Sequence, residues 1–492
     1  MAHNLMICGT MSSAGKSFIV TGLCRLFARM GYKVAPFKSQ NMALNSGVTE
    51  DGDEMGRAQV VQAEAAGVKP DVRMNPVLLK PSTDVGSQVI VLGKSRGNMS
   101  ARDYYAYKTV LIPEIMEAYE SLAAENDIIV IEGAGSPAEI NLKENDIVNM
   151  GLAKMLHAPV ILVGDIDLGG VFAQLLGTLE WMDEEEKDMI AGLLINKFRG
   201  DPTLLTPGIE MLEERCGKKV LGVVPMVKAK IDEEDSITQA FATSKGSGVD
   251  IAVIRLPRIS NFTDFSVFQV MDRVTLRYVY EPAELGTPDL IILPGTKSTI
   301  SDLEYLKKTG LADAVRTLAG TVPICGICGG YQMLGTYISD PYEIEGGGET
   351  EGLGLLPTRT VMAKDKKTVQ TEGVFEDLTG VFAALNGMAY RGYEIHQGVT
   401  ETLPGESSGS EGASALSQDA APEIFGTYVH GVFDREGIAE TLVNALLTRK
   451  GAEKTETAGL DYDRFKAEQY DILADALEQA LDLEELKKIM GM

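Results

Sequence analysis

Residues 5–17, LMICGTMSSAGKS, decide how this chain must fold. Leu5 to Cys8 form an apolar run of strand length, Gly9 to Gly15 form a glycine- and serine-containing loop, and an amphipathic helical pattern runs from Lys16 to Arg29. Strand, loop and helix in that order are the setting a phosphate-binding loop requires. Backbone N–H groups and the helix N-terminus cradle phosphate, a lysine reaches the terminal groups, and a hydroxyl ligates Mg²⁺. Thr10, Gly15, Lys16 and Ser17 are therefore candidate ATP contacts, with Ser17 also a candidate Mg²⁺ ligand. Five residues separate Gly9 from Gly15, where the strict pattern has four, so the flanking strand and helix carry the reading.

Working outward, short apolar runs at 4–8, 32–36, 127–132, 159–164, 191–196 and 220–224 alternate with helical stretches. That alternation predicts a doubly wound α/β domain, whose ligands bind beyond the carboxyl ends of the strands. Those ends carry unusual residues. Lys38-Ser39-Gln40-Asn41 follows the second run, and Glu132, a candidate Mg²⁺ ligand, closes the third. Asp165 and Asp167 follow the fourth, and Asn196, suited to a base edge, ends the fifth. Singly, a strand-end acid more often caps a helix or makes a turn than binds a ligand; together, beside a phosphate loop, they read as a site. Asp53 and Glu54 read as metal ligands or as a solvated helix start.

A connector at 227–249 leads into a second α/β block that begins at Asp250–Arg255 and continues through Asp289–Leu293 into Pro294-Gly295-Thr296. Then comes 323–335, PICGICGGYQMLG. Glycines two before and two after Cys328 let a strand turn sharply into a helix, lifting the thiol above the sheet and freeing main-chain N–H groups for an oxyanion. Cys328 is thus a candidate nucleophile, and Gly295 sits where a loop N–H would complete the oxyanion hole. Only His396 and His430 lie beyond the elbow, and His430, after the strand-like Gly426–Val429, is the preferred base. A redox dithiol or zinc reading of Cys325-Gly-Ile-Cys328 would want a thioredoxin-like setting or a second ligand pair, and neither is visible. Residues 401–421 read as a surface insertion, and the acidic tail from Tyr462 to Met492 reads as helical. The expected domains are 1–228, 250–440 and a helical tail over 441–492.

The formal charge, 45 basic against 71 acidic residues or −26, argues against nucleic acid and anionic membrane as partners. A polyanionic substrate would need a local basic pocket or metal ions. Five cysteines without disulfide-framework spacing fit a reducing compartment, and no apolar run approaches membrane length. The expectation is a soluble, cytoplasmic enzyme with no obligate protein partner evident.

An ATP site on one α/β block and an acyl-transfer cysteine on another unite economically as an ATP-dependent amidation. The motifs agree. The elbow, Arg391-Gly-Tyr-Glu-Ile-His396 and Gly-Thr-Tyr-Val-His430-Gly resemble the cobalamin-type branch of class I glutamine amidotransferases. GTMSSAGKS, PFKSQNMALNS (36–46), EGAGSPAEINL (132–142) and VGDIDLGGVFA (163–173) resemble the cobyric acid synthase family, whose N-terminal domain is similar to dethiobiotin synthetase. The likeness runs over essentially the whole chain. It implies amidation of the b, d, e and g carboxylates of adenosylcobyrinic acid a,c-diamide through acyl phosphates, with ATP, glutamine and Mg²⁺ as small-molecule reactants. It further implies Cys328 as nucleophile, His430 as base, Lys16, Ser17 and Glu132 around nucleotide and metal, and Asp146 near the corrin acceptor. The alternatives are the sister enzyme, cobyrinic acid a,c-diamide synthase, a P-loop switch ATPase, and a glutaminase-fold scaffold. The usual acid two residues after the histidine is missing, since Gly431 and Val432 follow His430; Glu394 is the substitute considered.

Overall fold

A computed structural model describes residues 2–83, 86–232, 241, 243–244, 246–403, 423–453 and 460–492. Most of the 401–421 insertion and part of the 227–249 connector lie outside the described residues. The chain divides into two units: Met1–Ala43 with Glu54–Ser236 and Lys466–Met492, and Leu44–Asp53 with Ile237–Phe465.

The first unit is built on a parallel sheet of six strands. Their spatial order is Val220–Pro225, Ile190–Phe198, Val160–Asp165, His3–Gly9, Ile128–Glu132 and Val34–Phe37. Both faces are covered, so the strands are apolar throughout, and alternate side chains feed different cores. Leu5 and Ile7 join Ile19, Leu23 and Phe27 of the helix Lys16–Arg29, whereas Met6 and Cys8 pack with Leu122, Leu152 and Leu175 on the other face. The sheet places Gly9, Glu132, Asp165 and Asn196 at the carboxyl ends of adjacent strands. Four further strands, Gln40–Met42, Val77–Thr83, Gly86–Val91 and Lys94–Ser100, form a separate sheet that strand-and-helix alternation did not anticipate. Its long strands pair antiparallel.

The expected tail, 441–492, does not behave as one element. Ile438–Arg449 buries Leu442, Val443, Leu446 and Leu447 in the second unit's core, while residues from Lys466 onward belong to the first. The reason is the apolar stripe Leu473, Ala474 and Leu477, which lies against the helix Lys16–Arg29. Contact is so close that a Cβ on Gly22 would sit 2.4 Å from Leu477 Cδ1. Arg25 grips Asp471 with two hydrogen bonds of 2.8 and 2.9 Å, and Arg29 reaches Asp475 at 2.6 Å.

The second unit has its own parallel sheet, ordered Val274–Val279, Val249–Ile254, Leu290–Leu293, Ile324–Ile327 and Ile424–Thr427. Beside it in the same unit is a mixed sheet containing the long hairpin Thr358–Val374 and Ala389–Thr402, with Val429–His430 on its edge. The parallel sheet delivers Cys328 at the end of Ile324–Ile327. The mixed sheet delivers His430 opposite Tyr393.

Candidate functional site

In the first unit, Gly15 takes a left-handed conformation (φ 91°) and opens the helix from Lys16. A side chain there would meet Asn196 Nδ2 at 2.3 Å, so only glycine fits. The same Asn196 nitrogen donates to Ala14 O at 2.9 Å and holds the loop from the far side. Lys16 is buried, and its Nζ donates to the carbonyls of Met11, Ser12 and Gly135 at 3.1–3.2 Å. Thr10 Oγ1 donates to Gln174 at 3.2 Å.

Glu132 is the centre of this site, with no exposed surface. Ser17 Oγ and Lys38 Nζ each donate to its Oε1 at 2.8 Å, and Gln62 Nε2 donates to Oε2 at 2.5 Å. Burial pushes this carboxyl up, but the Lys38 charge and the converging donors outweigh burial and hold it below the usual range. Lys38 and Gln62 are the members that sequence reasoning left without a role. Lys38 was visible as a polar strand end, but Gln62 lies inside a helix and nothing marked it. The hydroxyl of Ser17 and the carboxylate of Glu132 form an all-oxygen donor pair, which suits a hard cation that keeps most of its shell as water and phosphate. No cluster of three or more His, Cys, Asp or Glu suited to a metal is present among the described residues.

A cavity of about 510 Å³ opens beside this cluster. Its wall includes Lys16, Lys38, Gln40, Met42, Lys108 and Asp146. Lys143 also lines it, paired with Glu186 at 2.5 Å, and Glu139 completes the acidic side of the wall. Asp146 uses both carboxylate oxygens on backbone N–H groups: Val148 and Asn149 bond Oδ1 at 2.8 and 2.9 Å, and Gly151 bonds Oδ2 at 2.9 Å. It shapes the loop whose Asn149 accepts from Ala134 N–H at 3.1 Å and donates back to Ala134 O at 2.6 Å. Asp165 is buried, pairs with Lys197 at 2.9 Å, and accepts Asp167 N–H at 2.8 Å. Asp167 pairs with Arg199 at 2.7 Å on the outer side. Glu54 pairs with Lys80 at 2.8 Å, both buried.

In the second unit, Cys328 ends its strand at φ 51°, ψ −108°, a conformation that L residues adopt only under local constraint. The glycines around it are spaces already filled by neighbours. A Cβ on Gly330 would lie 2.0 Å from Leu293 O, and one on Gly426 would lie 2.1 Å from the Tyr331 ring. Gly329 packs against the Gly295–Thr296 turn, where its Cβ would come within 3.1 Å of Thr296 N. Cys328 Sγ lies 3.5 Å from Ile395 O. Cys325 is wholly buried in the sheet, and burial pushes its thiol up, away from reactivity.

His430 is buried, and its partner was not legible in the sequence. Nδ1 lies 2.7 Å from Asp264 Oδ2, and Asp264 Oδ1 accepts the N–H of Gly431 at 2.9 Å. Burial acts to lower the imidazole pKa; the Asp264 charge and hydrogen bond, together with Cys328, overcome it and raise it to about 10. With Nδ1 committed to Asp264, Nε2 is the nitrogen left for the cysteine. Glu394, the acid considered from sequence, is engaged elsewhere: it bonds His396 Nε2 at 3.0 Å and Lys367 at 2.8 Å. His396 in turn stacks on Tyr428, ring centroids 3.7 Å apart.

Comparison with known proteins follows the same division. Residues 5–237 match the family described as the CobQ/CobB/MinD/ParA nucleotide binding domain, and residues 250–438 match the CobB/CobQ-like glutamine amidotransferase domain. Over its full length the chain is 54% identical to the cobyric acid synthase of Lachnoclostridium phytofermentans, covering 99% of that protein. It is 52% identical to the cobyric acid synthase of Ruminiclostridium cellulolyticum and 49% to that of Listeria monocytogenes serotype 4a, each again over 100% of this chain and 97% of the relative.

Proposed function

The chain belongs to the cobyric acid synthase family, and from that premise we propose how its two constellations divide the work. It is a glutamine-hydrolysing ligase of cobalamin biosynthesis that amidates the b, d, e and g carboxylates of adenosylcobyrinic acid a,c-diamide with ATP and glutamine. The observation that carries the reading is that full-length likeness spans both site-bearing halves, so neither constellation is left without a task.

ATP supplies the phosphoryl group that turns an unreactive carboxylate into an acyl phosphate. Lys16 and the loop N–H groups from Gly15 onward receive the polyphosphate, and Ser17 with Glu132 would hold the accompanying Mg²⁺. Lys38 keeps Glu132 ionised at the bottom of the site. The acceptor occupies the lysine-lined cavity, its remaining carboxylates meeting Lys108 and its apolar ring system meeting the exposed Met42. Asp146 shapes that wall through backbone N–H groups.

In the second unit the Cys328 thiolate attacks the glutamine side-chain carbonyl. The main-chain N–H of Gly329, at a helix start where no intrahelical acceptor exists, and the Gly295–Thr296 turn stabilise the oxyanion. Collapse of the tetrahedral adduct leaves a thioester on Cys328, and His430 gives its proton to the departing ammonia. Water, deprotonated by His430, releases glutamate. Asp264 keeps the imidazole oriented and its cationic form stable through both steps. No described helix is long and apolar enough to cross a membrane.

The test is a product assay with adenosylcobyrinic acid a,c-diamide, MgATP and glutamine. Each acid-to-amide exchange lowers the mass by about one unit; this is expected to vanish in Cys328→Ala and to return with ammonium as the nitrogen source. If the a,c-diamide is untouched while unamidated cobyrinic acid is converted, the protein is instead the sister diamide synthase.

A further inference from the structure

The motif PFKSQNMALNS begins beside the nucleotide cluster, with Lys38 on Glu132, yet its last two residues work in the second unit. Asn45 Oδ1 accepts the N–H of Phe262 at 3.2 Å. Ser46 and Asn261 exchange two bonds: Ser46 N–H to Asn261 Oδ1 at 3.3 Å, and Asn261 Nδ2 to Ser46 O at 3.2 Å. Tyr393 ties the pair together, its hydroxyl donating to Ser46 O at 3.1 Å and accepting from Asn261 Nδ2 at 3.2 Å. Val48 O is held by Gln370 two residues on.

What these bonds fix is a backbone conformation. Asn261 is buried in the left-handed region (φ 50°, ψ 40°), and its carbonyl accepts Asp264 N–H at 3.0 Å. The short helical turn Phe262–Phe265 that follows presents Asp264 to His430. The ring of Tyr393 stacks on His430 at 5.5 Å between centroids. Asparagine is among the few non-glycine residues that visit the left-handed region, because its short polar side chain bonds locally. Here that side chain is held by Ser46 and the Tyr393 hydroxyl, and Asn45 takes the next N–H, that of Phe262.

We propose that Asn45 and Ser46 are positioning residues for glutamine hydrolysis, holding the turn at Asn261 so that Asp264 meets His430 in register. The inference rests on the glutaminase reading given above. It gives the end of a motif that otherwise serves the ligase half a duty in the glutaminase half.

The experiment measures glutamine-dependent and ammonium-dependent amidation side by side in the full-length enzyme. Asn45→Ala removes the acceptor for Phe262 N–H. Tyr393→Phe removes the hydroxyl from Ser46 and keeps the ring over His430. Each is expected to lower kcat with glutamine about tenfold, the rate equivalent of one hydrogen bond, while KM for glutamine changes less than about twofold. The ammonium rate stays at the wild-type level in Asn45→Ala. Asn45→Asp, which restores an acceptor oxygen, recovers most of the loss. A wild-type glutamine kcat in Asn45→Ala overturns the proposal, and so does a parallel fall with both nitrogen sources. Failure of the underlying reading looks different: wild type and Cys328→Ala would then use glutamine equally.

Discussion

Each unit buries a carboxylate beneath its reactive centre, and the two are neutralised in opposite ways. Glu132 faces Lys38, a group whose charge is permanent at working pH, with Ser17 and Gln62 completing its shell. Asp264 faces His430, the group that the proposed mechanism has gain and lose a proton on every turnover. In the first case the pair is a fixed electrostatic floor on which a nucleotide's charge can be laid. In the second the acid sets the affinity of a relay for its proton. A buried acid is therefore not one kind of catalytic device; the partner decides whether it stores charge or moves it.

The sharpest way to break this contrast is Asp264→Asn. The amide presents the wrong hydrogen-bonding face to Nδ1 and removes the charge that offsets burial, so glutamine-dependent kcat should fall about 10³- to 10⁴-fold while ammonium-dependent synthesis persists. Stability should report the same substitution. His430 has its pKa raised in the folded state from 6.5 to about 10, so its contribution is complete below pH 6.5 and is lost as pH rises through 10. Chemical denaturation of the wild type should show that alkaline decline, and Asp264→Asn should flatten it. An unchanged slope would mean that Asp264 is not what holds the proton.

Lys38→Met probes the fixed pair. Deleting the cation leaves Glu132 charged and buried, costing about 3 kcal/mol in stability and removing synthesis with glutamine and ammonium alike. Loss with glutamine alone would contradict the division between the two sites. Glu394→Gln is the mildest. Because Glu394 is spent on His396 and Lys367, glutaminase turnover should stay within about threefold of wild type. A loss as large as that of Asp264→Asn would restore Glu394 as the orienting acid.

Local features explain what was readable in advance. Short continuous apolar runs ending in glycine, lysine or glutamate announced both parallel sheets, and Lys16, Ser17 and Glu132 converge because adjacent strands must end side by side. The elbow at Cys328 was equally local. Asp264 was not, because it acts 166 residues before its histidine and reaches it only through the tertiary path of a left-handed turn. Asp165 and Asp167 stood out by their place at a strand end, yet a residue name carries no sign of Lys197 or Arg199 waiting across a loop. The hairpins at 77–100 and 358–402 escaped because their exposed edges carry charge and threonine instead of a clean apolar run.

The grip of Arg25 on Asp471 has a consequence in time. These partners are 446 residues apart, and the stripe Leu473–Leu477 covers the outer face of the phosphate-loop helix. On the ribosome that helix emerges early, while its cover is made after every strand of both parallel sheets. Until then its apolar flank must wait in water or in the care of a chaperone. The half of the enzyme synthesised first is thus the half completed last, and nascent chains stalled before residue 471 should be protease-sensitive in a region whose own sequence is already whole.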